Sequence, residues 1–256
     1  MMKVAAAPMF GAILLALWEI AVVVAEVPPY ILPRPSAIAI AIVANAGDLA
    51  SALAVTLQVT VAALILAALS GALVALVLAQ SPIAERIFFP YAVFLQVTPI
   101  VTIAPFIIIW VENVFVVLLI LAWMAAIFPV ISNTLLGLKS VDTNLKDLFR
   151  LYGATRWQTI RRLMIPSALP YFLGGLRIAG GMALIGTVVA EMVAGTSGTR
   201  SGLASRLVEA SYRLELAIAL GCFVLLSAAG LVLYLVLDAV SRRLLRHWHE
   251  SARAAP

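Results

Sequence analysis

Six segments of this chain, 9–27, 53–79, 87–110, 114–136, 168–194 and 215–240, are apolar over about the 20 residues that a helix needs to cross a bilayer. Such segments leave little choice of fold, because a chain in lipid must pair its backbone groups within itself. With 64% hydrophobic and only 11% charged residues, the chain could not clothe a soluble domain. It reads as an all-α membrane protein, one transmembrane domain over 1–256 with about six spans. Spans three and four are separated only by Val111-Glu112-Asn113, which predicts a tight helical hairpin. Only Lys3 precedes the first span, and Trp18 and Glu19 interrupt it, so it reads as a retained helix and not a cleaved leader.

Basic residues orient the spans. Lys3, Arg86, Lys139, Lys146, Arg150, Arg156, Arg161, Arg162, Arg242, Arg243, Arg246 and Arg253 fall on one side; Arg34, Arg200, Arg206 and Arg213 fall on the other. Both termini and the 137–166 region are therefore expected in the cytoplasm, with a basic tail over 241–256. The opposite side carries a proline-rich loop, 27–36, and a Gly/Ser/Thr loop, 195–202. The net charge of +5 is no footprint for nucleic acid, since the basic residues sit beside apolar spans without a polar face of interleaved aromatics. Cys222 is the only cysteine, and His247 and His249 are tail residues with no carboxylate or thiol spaced for a metal. An enzyme reading finds no nucleophile or metal cluster to stand on.

The polar stretch 142–166 interrupts this pattern. Leu145, Leu148, Phe149 and Tyr152 recur at helical spacing, with Asn144, Lys146, Asp147 and Arg150 on the other face. After Gly153, Thr155 and Gln158 have capping-box spacing, and a second amphipathic piece runs to a proline stop at Pro166. The expectation is a bent docking platform on the membrane surface. Gly153 is the expected corner, a position for positive φ, and can at the same time be an ordinary helix C-cap.

Asp147-Leu148-Phe149, three residues, Gly153, nine residues, Leu163, one residue, Ile165 and Pro166 resemble the E-A-A-x3-G-x9-I-x-L-P signature of permease subunits of bacterial ABC importers. Spacing agrees throughout; Asp replaces Glu, and Leu-Phe replaces Ala-Ala. The likeness runs from about Trp18 to Arg246 and is closest to the nitrate, taurine and alkanesulfonate branch. It extends through Pro28-Pro29-Tyr30-Ile31-Leu32-Pro33, Leu176-Arg177-Ile178-Ala179 and Val189-Ala190-Glu191-Met192. Departures fall at Gln96-Val97-Thr98, where the branch has Arg-Pro-Ile, and at Val111-Glu112-Asn113, where it has Phe-Gly-Ile. The resemblance implies a type I importer permease in the bacterial inner membrane, with a coupling helix between spans four and five. It implies ATPase coupling through Asp147, Leu148, Phe149, Gly153, Ala154, Arg161, Leu163, Ile165 and Pro166. Its partners would be a second copy, ABC ATPase subunits and an extracytoplasmic substrate-binding protein. The chain itself would bind no cofactor; ATP and Mg would belong to the ATPase. In keeping with that, G-x4-G-K-[ST] is absent and none of Lys3, Lys139 and Lys146 follows a glycine.

Polar residues within spans are candidates for a solute path. Gln58 in the second span, Gln96, Thr98 and Thr102 in the third, and Glu191 in the fifth are the set. Gln96, Thr98 and Thr102 share one face if the helix persists through Pro99 and Pro105; alternatively the threonines bond back to their own helix. Glu191 reads as an external gate or a helix-packing acceptor. Arg177 lies fourteen residues from it on one helix, about 21 Å, so the two cannot pair. Arg177 reads as snorkelling or touching the platform, and Glu19 as buried against a neighbouring helix. Glycines 174, 175, 180, 181 and 186 read as a close-packing face, within one chain or between copies. A secondary transporter driven by its few buried charges stays as the alternative, though the platform would then have no task.

Overall fold

The computed structural model describes residues 2–194 and 201–246, with side chains from residue 9 onward. The glycine-rich loop over 195–200, both extreme termini, and the tail with His247, His249 and Arg253 lie outside the described residues. The rest is helical: α1 Met2–Val24, α2 Pro35–Ala44, α3 Ala46–Gln80, α4 Pro82–Val97, α5 Ile100–Trp110, α6 Val114–Lys139, α7 Thr143–Leu151, α8 Arg156–Thr159, a π turn Ile160–Met164, α9 Ile165–Ala194, α10 Leu203–Tyr212 and α11 Leu216–Leu245. By length and composition four described helices can cross a membrane: α3, α6, the continuous run Arg156–Ala194, and α11. The bent pair α4 and α5 makes up to five, while Met9–Val24 and Pro35–Ala44 are shorter apolar helices. The apolar segments of the sequence give six.

Two sequence expectations are corrected. The third span is not one helix: α4 and α5 meet at 97° across Thr98 and Pro99. Pro99 has no N–H to extend the helix and pushes Thr98 out of the helical region, to φ −68° and ψ 120°. Gln96 and Thr102 therefore lie on different helices, and the shared face is lost. Nor does Pro166 stop the platform's second arm. The backbone widens into the π turn just before it, which takes up the missing donor, and the helix continues from Arg156 through Ala194. The second arm is the beginning of the fifth span.

The chain divides into two compact units, Met1–Thr56 with Gly195–Ala228 and Leu57–Ala194 with Ala229–Pro256. In the first, Pro35 at the first helical turn starts α2, and Glu19 accepts hydrogen bonds from the Ser36 amide at 3.0 Å and hydroxyl at 2.7 Å. Glu19 is thus half-buried and joins α1 to the start of α2. The Thr56 hydroxyl accepts the Leu203 amide at 2.8 Å, satisfying a free donor at the start of α10.

The second unit is built on α6 and α9. Leu121, Ala122, Ala126 and Val130 of α6 are fully buried, as are Ala179 and Ala183 of α9. Glycine permits the approach: a Cβ on Gly175 would stand 2.7 Å from the Pro129 carbonyl oxygen, and one on Gly186 would stand 2.9 Å from the Ala122 Cα. Gly174 and Gly181 have nothing within 4 Å of such a Cβ, so the fifth-span glycines serve more than one face. Because the obstacle at Gly175 is backbone, Gly175→Ala is expected to cost about 1–3 kcal/mol by overpacking. A lowered thermal transition of the purified chain, with Gly174→Ala close to wild type, checks it. Trp123 reaches α3 by donating to the Ser70 hydroxyl at 2.9 Å, and Lys139 pairs with Glu85, joining the end of α6 to the start of α4.

Candidate coupling surface and solute path

Short-range chemistry shapes the platform. Asp142 caps α7 by accepting the Asn144 amide at 2.8 Å. At the other end Gly153 has φ +68°, and the amides of Gly153 and Ala154 bond the carbonyls of Arg150 at 3.0 Å and Phe149 at 2.9 Å. Those two bonds around a left-handed glycine form a Schellman motif, so the corner and C-cap readings of Gly153 coincide. The chain then re-enters helix at Thr155, where the expected capping box with Gln158 is present in both directions, at 2.8 and 3.3 Å.

No residue of α7 is buried. Leu145 and Leu148 are each 45% exposed, Leu151 and Tyr152 each 84%, and Trp157 just beyond the corner 62%. Phe149 is half-buried. Leu151, which the sequence reading did not single out, is among the most exposed apolar residues here. Asp147 and Arg150 pair at 3.2 Å, but both are mostly in solvent, so the pair stabilises α7 little. Arg161 is exposed, Ala154 and Pro166 are half-buried, and Ile165 is 44% exposed. Leu163 faces inward at 9% exposure and anchors the second arm.

The path candidates part company. Gln58, Gln96 and Thr102 are exposed and Thr98 is half-buried. Thr98 donates to the Phe94 carbonyl and Thr102 to the Pro99 carbonyl, each at 2.7 Å, so both hydroxyls bond back to backbone beside the break. Glu191 is completely buried, on a helix whose Ala190 packs with Val59, Ala63, Leu118 and Leu121. One turn before it, Thr187 accepts from Thr60 of α3 at 3.1 Å, a polar link buried in the same unit. Sequence reading passed over Thr60 and Thr187, whose pairing spans 127 positions and leaves no local signal. Arg177 has its partners on α11: Asp238 at 3.0 Å and the Ser241 hydroxyl at 2.7 Å, with Arg242 pairing the other Asp238 oxygen.

Comparison with known proteins agrees with this architecture. Residues 67–249 match the family described as Binding-protein-dependent transport system inner membrane component. The chain is 33% identical to the Formylaminopyrimidine transport permease protein ThiX of Halalkalibacterium halodurans, over 74% of this chain and 76% of that protein. It is 29% identical to the Taurine transport system permease protein TauC of Escherichia coli, over 93% and 87% respectively. It is also 28% identical to the Putative aliphatic sulfonates transport permease protein SsuC of Bacillus subtilis, over 73% and 68%. With most of its length matched and its apolar helices in place, the chain belongs to the binding-protein-dependent transport inner-membrane family and is an integral membrane permease of the ABC importer type.

Proposed function

We propose that this permease forms the path for a small solute and takes its driving force from a separate ATPase, which it engages through residues 142–166. The observation that carries this is the uncovered apolar face of α7, joined by one tight corner to a helix that continues without a stop through the fifth span. Leu145, Leu148, Leu151 and Tyr152 seat in a groove of the ATPase, and Asp147 and Arg161 lie beside that contact. Closure of the ATPase on ATP and Mg, both bound by that partner, moves the platform. The Arg156–Ala194 helix then transmits the movement as a rigid body.

The positions of Lys and Arg support placing the platform and both termini in the cytoplasm. A substrate-binding protein then delivers solute from the opposite side, and a second copy of this chain completes the path. Gln58, Gln96, Thr98, Thr102 and Glu191 are its polar positions, and the helix break at Thr98 and Pro99 falls among them. The names of its relatives support a nitrate, sulfonate, taurine or vitamin-precursor class of solute.

Cys222 is buried and is the chain's only cysteine, so a thiol added to the platform can be read cleanly. In the assembled transporter, Leu148→Cys and Leu151→Cys are expected to cross-link to the ATPase and to be shielded from an aqueous maleimide by it. Labelling at both positions that is indifferent to the ATPase would remove the proposed contact.

A further inference from the structure

Two cavities of the second unit adjoin one another beside the platform. One, of about 420 Å³, lies among α3, α6 and the start of α9, and is lined by Leu73, Leu76, Thr134, Leu138, Ile165 and Phe172 among others. Its only polar side chain is Thr134, which is 6% exposed and whose hydroxyl has no hydrogen-bond partner among the described residues. Leu73 and Ile165, at 63% and 44% exposure, leave the cavity open on the apolar surface of the helices. The other, of about 350 Å³, is a cleft between the platform and the end of α3, where Lys146, Arg150 and Arg156 converge with Gln80 and Thr159. Among the described residues no carboxylate lines it; Asp147 pairs with Arg150 where both side chains are mostly in solvent.

The two spaces have no lining residue in common, but neighbouring residues of the same helices border both. Leu76 of the apolar cavity and Gln80 of the basic cleft are one helical turn apart on α3, about 6 Å along the axis. Met164 of the cleft and Ile165 of the cavity are consecutive. A ligand suited to both must carry a negative charge at one end and an uncharged chain at the other. We propose that an anionic phospholipid binds here, its headgroup phosphate among Lys146, Arg150 and Arg156 and one acyl chain in the cavity of Leu73, Leu76, Leu138 and Phe172. Basic clusters where a helix leaves the bilayer attract anionic headgroups, and the apolar cavity gives the tail a place that a free anion cannot use. Such a lipid would wedge the platform's root against α3. The inference rests on the chain being a membrane protein and not on its ATPase contact.

Native mass spectrometry of the full-length permease, released from micelles containing phosphatidylglycerol or phosphatidylcholine, tests it. Phosphatidylglycerol is expected to be retained about tenfold more than phosphatidylcholine. The combined Lys146→Ala, Arg150→Ala and Arg156→Ala variant should lose that preference, and Arg156→Gln alone, at an exposed position, should reduce it. Ala72→Phe, which fills the cavity, should lower retention of both lipids while the thermal transition stays near wild type. Equal retention of the two lipids overturns the proposal, as does full retention by Ala72→Phe. Displacement by millimolar inorganic phosphate with no effect of Ala72→Phe would make the cleft an anion site only. Displacement by the partner ATPase, with the triple variant losing that subunit, would make it a protein interface; either result rejects the lipid.

Discussion

Gly153→Val will reduce ATP-driven solute uptake by more than tenfold while leaving the amount of permease in the membrane nearly unchanged. The reason is conformational and not steric. At φ +68° a Cβ on residue 153 would meet nothing within 4 Å, so there is room for a side chain but no comfortable backbone for it. A β-branched residue in the left-handed region costs on the order of 1–3 kcal/mol. Relief comes by opening the Schellman turn, which frees the Arg150 and Phe149 carbonyls and swings α7 away from the helix that begins at Thr155. The membrane helices do not depend on that turn, whereas the proposed lever does. Asparagine tolerates left-handed backbone, so Gly153→Asn should recover much of the uptake despite its larger volume. Uptake in proteoliposomes, with permease quantified in the same vesicles, separates the cases. Wild-type uptake by Gly153→Val would end the lever account, and equal damage from Asn and Val would move the cause from φ to surface contact.

What the sequence disclosed follows the range of the interactions. Helix positions came from apolar runs, and the capping box at Thr155 and the left-handed corner at Gly153 came from chemistry within four residues. Proline is less legible, because its effect depends on what the neighbouring backbone can do. Pro99 breaks its helix by 97°, since Thr98 gives way before it, whereas Pro166 is absorbed by a π turn and breaks nothing. Both residues carry the same local signal. Contacts between distant helices were beyond reach: the Thr60 and Thr187 link, the burial of Glu191 and the α11 partners of Arg177 are consequences of packing. Leu151 lies off the line through Leu148 and Tyr152, and the exposed apolar face is wider than that line.

Arg177 is the residue where the loss of one distant contact should cost most. Its side chain is 31% exposed and that of its partner Asp238 only 14%, with Ser241 completing the cluster. Asp238→Ala would leave Arg177 and Arg242 facing one another without the carboxylate that both now bind. An uncompensated charge at the centre of a membrane helix costs about 2.5–3.5 kcal/mol on insertion scales, and partial solvent access here lowers the expected destabilisation to about 2 kcal/mol. Half-life of the purified permease at elevated temperature measures it, and should fall several-fold. Arg177→Met alone should also destabilise by stranding Asp238, although Arg242 still neutralises it, so the loss should be smaller. Arg177→Met with Asp238→Leu removes both charges and should recover most of the stability, because a buried ion pair gains little over apolar residues of similar size. A double variant worse than either single one would show that the pair stabilises the α9 to α11 contact in its own right. Unchanged stability in Asp238→Ala would mean that Arg177 reaches water from its helix and that α11 is held by apolar packing alone.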